Sequence, residues 1–265
     1  MRVDFSGSEP VRPGQELPLA ELAQWLTSHV ESFEGPLTLE QFKGGQSNPT
    51  YKLLTPARSY VLRCKPRGPL LKGAHAVERE FRVTRELSRA GFPVATPLAL
   101  CTDEGVIGSA FFIMELVKGR IFWEASLPGL PSEERRVYFD ALNATLAKLH
   151  MLDPGALSLG DYGKPDRYIE RQIARWSSQY RSDEAAGRVS AMDRLVEWLP
   201  DHIPPGDENR IVHGDFRADN VMFDPHDPRI LAVLDWELST IGHPLCLPPH
   251  DVPTAAFGPW RICWC

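Results

Sequence analysis

The strongest constraint on this chain is a change of hydrophobic period near Lys118-Gly119. Ahead of that point, Leu37 to Phe42, Thr50 to Leu54 and Tyr60 to Cys64 are short runs rich in branched and aromatic residues. They are separated by Lys-Gly-Gly-Gln-Ser-Asn-Pro and by Pro-Ala-Arg-Ser, so they read as an antiparallel meander with one glycine-rich turn. Pro97 to Thr102 and Ala110 to Leu116 add two strands around the turn Asp103-Glu-Gly. Two helical faces interrupt them: Leu19, Leu22, Leu26, Val30 and Phe33 over 18–33, and Val77, Phe81, Thr84 and Leu87 over 75–90. Beyond Gly119 the three- and four-residue steps take over. Pro131-Ser-Glu-Glu starts one helix, carrying Leu142, Leu146 and Leu149; Ile169, Ile173, Trp176 and Tyr180 mark a second, and Val189, Met192, Leu195, Val196 and Leu199 a third. The expected architecture is α+β: roughly five antiparallel strands over 1–117, then a mainly helical part over 118–245. Within the latter, Arg210 to Val212, Val221 to Phe223 and Ile230 to Leu234 are small strands flanking loops.

Charge and cysteine usage narrow the function. The net charge of −6 argues against a nucleic-acid partner, as does the scarcity of aromatics in the basic stretch from Lys43 to Arg89. That stretch could instead hold a polyanionic ligand, or form a solvated arginine-rich helix face. No apolar run reaches the roughly 20 residues of a membrane helix, so no membrane partner is expected. The 5 cysteines include no CxxC pair, and the N-terminus has no basic start followed by an apolar run. The cytoplasm is the expected compartment.

The small strands bracket His213-Gly-Asp215-Phe-Arg217-Ala-Asp-Asn220, and Leu234-Asp235-Trp-Glu237 follows. The first segment has the H-x-D-x-x-x-x-N spacing of a kinase catalytic loop. Phosphoryl transfer needs a carboxylate to orient and deprotonate the attacking hydroxyl, and hard oxygen ligands for magnesium. Asp215 fits the base, and Asn220 and Asp235 the metal ligands; an Asx-rich turn would use the same residues without chemistry. Upstream, Gly44, Gly45, Ser47 and Asn48 form a turn of small residues where backbone amides can approach phosphates. Arg63 and Lys65 leave one face of the next strand, where a kinase needs a cation for the α and β phosphates. Glu80 is the expected helix partner of that cation, with Glu78 in reserve. Met114, Glu115 and Leu116 would offer backbone hydrogen bonds to adenine, although Phe111 to Met114 also reads as plain strand core. Arg217, two residues past the base, is expected to steady developing charge, a salt-bridged surface arginine being the alternative.

With these motifs in hand, the chain resembles the aminoglycoside phosphotransferase and choline kinase superfamily. It is most similar to the branch associated with acyl-CoA dehydrogenases. The resemblance rests on Gly44 to Tyr51, Tyr60 to Pro66, Val77 to Phe81, Phe112 to Glu115, His213 to Asn220 and Leu234 to Pro244, in the family's order. It implies a bilobal protein-kinase-like fold, ATP with magnesium, and transfer of the γ-phosphoryl group to a hydroxyl of a small molecule, a hydroxyacyl-CoA-like metabolite or an aminoglycoside-like compound. It also implies the roles already assigned to Asp215, Asn220, Asp235, Arg63 and Glu80. Gly214 stands where a protein kinase has the arginine that reads a phosphorylated activation loop, so control of that kind is not expected. The rival reading is a nucleotide- or acyl-CoA-binding module without turnover. A metallophosphoesterase site built from His213, Asp215, Asp235 and His243 fails on spacing and leaves Gly45, Asn48 and Arg63 unexplained. Residues 246–265 lack a helical period and end Trp-Arg-Ile-Cys-Trp-Cys, and a truncated or frame-shifted terminus is the expectation there.

Overall fold

A computed structural model describes residues 7–43, 48–66, 76–183, 187–206 and 208–245. The chain packs as two compact units. Among the described residues, those up to 141 together with 218–237 form the first, and 142–217 together with 238–245 the second.

The first unit is built on an antiparallel six-stranded sheet of order β1-β2-β3-β4-β6-β5. Its strands are β1 (Ser8–Pro10), β2 (Thr38–Phe42), β3 (Thr50–Leu54), β4 (Ser59–Cys64), β5 (Pro97–Cys101) and β6 (Phe111–Glu115). Five match the expected strands to within one or two residues. The additional β1 pairs Ser8 with Phe42, and Pro10 is tolerated there because the strand lies at the sheet's edge. Period-two alternation divides the faces. Tyr60, Leu62 and Cys64 join Phe111 and Ile113 in one apolar cluster, which Leu22 and Leu26 of α1 (Leu19–His29) complete. Fully burying each of these leucines contributes about 2 kcal/mol. On the opposite face Phe112 meets Val77 and Phe81 of α2 (Val77–Arg89). Arg63 is out of phase with Leu62 and Cys64 and faces Phe112 in the strand register, so it belongs to the α2 side. The predicted Asp103-Glu-Gly turn is one turn of helix, α3 (Glu104–Ile107). The Asp103 side chain accepts from the Gly105 N–H, and Gly108 closes the turn with φ +88°.

The same unit includes the hairpin of β8 (Val221–Phe223) and β9 (Ile230–Val233). Phe223 exchanges two backbone hydrogen bonds with Arg120, each 2.8 Å, and the Val233 N–H donates to the Pro93 carbonyl. The expected division at residue 117 therefore differs from the observed one. Three- and four-residue strands carry too little pattern to say which body they join. α4 (Ser132–Met151) leads from this unit into the second.

The second unit holds α5 (Tyr168–Ser182), α6 (Ser190–Trp198) and a 3-10 turn over Leu199–His202. β7 (Arg210–Val212) pairs with an unexpected strand, β10 (Thr240–Gly242), setting Ile211 opposite Ile241. The Tyr162 hydroxyl lies 2.8 Å from Ser239 Oγ in the buried segment leading into β10.

Candidate active site

In the first unit, Arg63 is the centre of a charged cluster. β4 delivers it to the α2 side, where its Nε lies 2.8 Å from Glu80 Oε2 and its Nη2 2.7 Å from Asp235 Oδ1. The Nε contact is poorly aligned for a hydrogen bond, so it acts as an ion pair, whereas the contact to Asp235 is a charge-assisted hydrogen bond. Glu237 Oε2 stands 3.6 Å from the same Nη2. Three carboxylates thus surround one guanidinium that is only 10% exposed. Arg63 stays charged: burial opposes its charge, but Glu80, Asp235 and Glu237 together push its pKa up. Glu80 gives way instead. Burial, opposed by Arg63 and reinforced by Asp235 and Glu237, pushes its carboxyl up to about 7.

Both expected glutamates find a cation. While Glu80 takes Arg63, Glu78 takes Lys65 at 2.6 Å on the more exposed side of α2. Asn48 occupies a place that its grouping with the phosphate-cradling glycines did not anticipate. It is fully buried, and its Nδ2 donates to Glu80 Oε1 at 2.8 Å and to Glu237 Oε2 at 3.3 Å. Gly44, Gly45 and Ser47 lie outside the described residues. Glu237 was not anticipated at all. Its only signal was its position two residues past Asp235, across a tryptophan.

The β8–β9 hairpin explains how Asp235 arrives. Val221 faces Val233, and the Leu234 N–H donates to the Asn220 carbonyl at 2.8 Å, so the two expected metal ligands leave adjacent ends of one hairpin. Asp235 turns the chain with φ +60°, in the left-handed region that a non-glycine residue rarely adopts. The next side chain, Trp236, holds that turn. It is 2% exposed, donates from Nε1 to the Val233 carbonyl at 3.0 Å and meets Phe92 edge to face at 6.0 Å. Asn220, Asp235 and Glu237 offer the hard oxygens that magnesium prefers, and carboxylate is in excess over cation around Arg63. Among the described residues no three His, Cys, Asp or Glu side chains form a ready-made metal cage. Magnesium needs none, since it retains waters and phosphate oxygens beside one or two protein ligands. The residues present fit the ion.

Asp215 and Arg217 stand in the second unit, both half-buried on the loop that leaves β7. His213 is buried, and its Nδ1 accepts from the Asp215 N–H at 3.2 Å. Gly214 between them has φ +87°, and a Cβ there would lie 2.6 Å from the Leu238 carbonyl oxygen. Only glycine allows this loop to pass so close to Leu238.

Along β6 the expected adenine contacts are narrowed. The Glu115 N–H donates to the Thr96 carbonyl at 2.9 Å, and its side chain pairs with Arg58 at 3.1 Å. Its amide is therefore spent inside the sheet. Met114 lies within the sheet, opposite Val61 on one side and Pro97 on the other, and what is left of the expectation is the Glu115 carbonyl and Leu116, just past the strand.

Residues 38–246 match the APH phosphotransferase enzyme family. Acyl-CoA dehydrogenase family member 10 of Mus musculus is 45% identical over 245 residues, covering 92% of this chain and 23% of that protein. Human acyl-CoA dehydrogenase family member 11 is 44% identical over 240 residues, covering 89% and 31%. The chain thus spans about a quarter to a third of these relatives. Among solved structures, an aminoglycoside phosphotransferase-like protein of Ralstonia eutropha superposes with TM-score 0.79 at 52% identity, covering 87% of this chain and 68% of that one. The aminoglycoside phosphotransferase APH(4)-Ia, in ternary complex with AMP-PNP and hygromycin B, shares the fold at 22% identity and TM-score 0.57, covering 85% and 73%. The kinase-like α+β fold is common to all these structures. Among the described residues no helix is long and apolar enough to cross a membrane.

Proposed function

The chain belongs to the APH phosphotransferase enzyme family, and on that premise we propose that it transfers the γ-phosphoryl group of ATP to a hydroxyl of a small molecule. The observation that carries this reading is Arg63, a buried strand cation bound at once to the helix carboxylate Glu80 and to Asp235. A surface charge would have no need of a buried carboxylate and a half-buried one at once, whereas a kinase needs a cation fixed in place before the phosphates arrive.

In this reading Arg63 steadies the α and β phosphates, with Lys65 beside it, and Leu116 and the Glu115 carbonyl meet adenine. Gly44, Gly45 and Ser47 approach the phosphates through their backbone amides. Asn220 and Asp235 hold magnesium, which when bound neutralises phosphate charge. Asp215 accepts the proton of the attacking hydroxyl as the acceptor oxygen bonds to the γ-phosphorus and the bond to the β-phosphate oxygen breaks. Arg217 steadies the charge that develops on the transferred group.

The acceptor is a hydroxylated acyl-CoA or a related metabolite. This draws on the relatives that bear the name acyl-CoA dehydrogenase family members 10 and 11; the aminoglycoside-like alternative draws on the more distant structural neighbours. The test is consumption of ATP in the presence of magnesium against panels of hydroxyacyl-CoAs and aminoglycosides, with Asp215→Ala as control. Acceptor-dependent ADP formation that Asp215→Ala abolishes is expected. Equal rates in the two proteins sink Asp215 as the base, and nucleotide binding without turnover favours a binding module.

A further inference from the structure

Asn48 follows directly on the glycine-rich turn, yet its side chain has little left to offer a phosphate. An amide nitrogen carries two hydrogens, and the structure directs both at carboxylates, Glu80 Oε1 at 2.8 Å and Glu237 Oε2 at 3.3 Å. Its remaining polar atom is an acceptor, which a phosphate oxygen repels. The orientation of the amide follows from its neighbours: Nδ2 placed here meets a carboxyl oxygen of Glu80 and one of Glu237, whereas the flipped amide would set its own oxygen against both.

The contacts close a ring. Glu80 gives Oε1 to Asn48 and Oε2 to Arg63, and Glu237 Oε2 is shared between Asn48 and Arg63. Its members come from the segment before β3, from β4, from α2 and from the turn after β9. With three carboxylates against one guanidinium, the arginine alone cannot satisfy every oxygen or hold Glu80 and Glu237 near one another. A neutral double donor can. Asparagine adds two N–H groups without adding charge, where a lysine would remove part of the carboxylate excess and an aspartate would deepen it.

We infer that Asn48 is a positioning residue, which spaces Glu80 from Glu237 and so sets how the Asp235–Glu237 turn presents its carboxylates; it is not a phosphate ligand. The inference rests on the kinase reading of this site. It ties the segment that closes the glycine-rich turn to the carboxylates that would receive magnesium, through side chains 32 and 189 residues away in sequence.

The test is a double-mutant cycle of Asn48→Ala and Glu237→Gln in the full chain, with three readouts. For turnover of ATP with magnesium, each single change is expected to lower kcat about tenfold, and the pair together no more than the worse single change. For ATP binding without magnesium, all four proteins are expected to agree within about twofold. For thermal unfolding without ligand, the pair should depart from the sum of the single shifts by more than about 2 °C. Multiplying rate losses, additive unfolding shifts, or a tenfold loss of metal-free ATP affinity in Asn48→Ala would each overturn the inference, the last by making Asn48 a phosphate ligand. If Asn48→Ala does not fold, Asn48→Ser takes its place with the same outcomes. A wild-type chain that turns over no ATP counts against the kinase reading, and the unfolding cycle still decides whether Asn48 and Glu237 act together.

Discussion

Arg63 Nη2 lies 2.7 Å from Asp235 Oδ1, across 172 residues of sequence, so the strand cation and the expected metal ligand are bonded to each other. The same guanidinium pairs with Glu80 through Nε. The planar guanidinium meets the two carboxylates through separate nitrogens, Glu80 at Nε and Asp235 at Nη2, a span that the single nitrogen of an ammonium does not reproduce. Arg63 also neutralises part of the charge of the acidic cluster formed by Glu80, Asp235 and Glu237.

Arg63→Lys is therefore not conservative. The lysine offers one nitrogen in place of the separated Nε and Nη2, so it cannot keep both contacts in their present geometry, and kcat/KM for ATP is expected to fall at least about tenfold with the fold retained. Arg63→Met goes further, stranding buried carboxylates without their cation, and should cost about 3–5 kcal/mol in urea unfolding. Wild-type kinetics in the lysine variant would remove the two-partner requirement.

Gly214→Ala tests the proposed catalytic loop apart from the residues proposed to hold the nucleotide. A methyl group must enter where the Leu238 carbonyl oxygen stands 2.6 Å away, on a backbone at φ +87°. The loop has to shift or the strain has to be carried, at about 1–3 kcal/mol. Asp215 is the next residue, so turnover should drop by at least about tenfold. ATP affinity by calorimetry, which the proposed function assigns to residues of the other unit, should stay near wild type; a parallel loss of both would show that the glycine matters to folding alone.

The raised pKa of Glu80 has a definite sign. Its folded value of about 7 lies above the ordinary 4.5. Between those values the folded protein holds a proton that the unfolded chain has released, so this group's contribution makes stability fall as pH rises through the window. Glu80→Gln removes the slope. The difference in unfolding free energy between variant and wild type should move in the variant's favour by about 2 kcal/mol from pH 4.5 to pH 7. A difference that is flat with pH would mean that Glu80 is ionised throughout.

Most of this site was legible from local pattern. Alternating residues placed Arg63 on the face opposite Leu62 and Cys64, and the helical step from Val77 to Leu87 placed Glu80 where a strand cation could meet it. The H-x-D-x-x-x-x-N spacing singled out Asp215 and Asn220 as the candidates carried into the proposed function. What escaped had no local signature. β1 and β10 are three residues long, too short for a period, and exist because an edge of an existing sheet or strand accepts them. Glu237 reads as an ordinary exposed glutamate until the turn at Asp235 carries it towards Arg63. Asn48 reads as part of a glycine turn, and only the tertiary approach of two carboxylates shows that its amide faces inward.

A second titrating group, in the other unit, acts in the opposite sense. His150, near the end of α4, has its pKa lowered to about 4 by burial and, to a lesser extent, by the charge of Arg210. Its Nε2 is buried with no hydrogen-bond partner among the described residues. The unfolded histidine takes up a proton near its ordinary 6.5, while the folded one resists until about 4. Stability from this group is therefore whole above pH 6.5 and is lost as pH falls through the window. In the wild type this loss partly offsets the gain from Glu80 over the same range, so single variants are needed to separate them. His150→Leu removes an unsatisfied buried nitrogen at neutral pH, which should stabilise the protein by about 1 kcal/mol, and it removes the acid penalty as well. Thermal unfolding should accordingly show the variant's advantage growing from pH 7 to pH 5. An advantage that stays constant or reverses would mean that the folded protein accommodates the imidazolium.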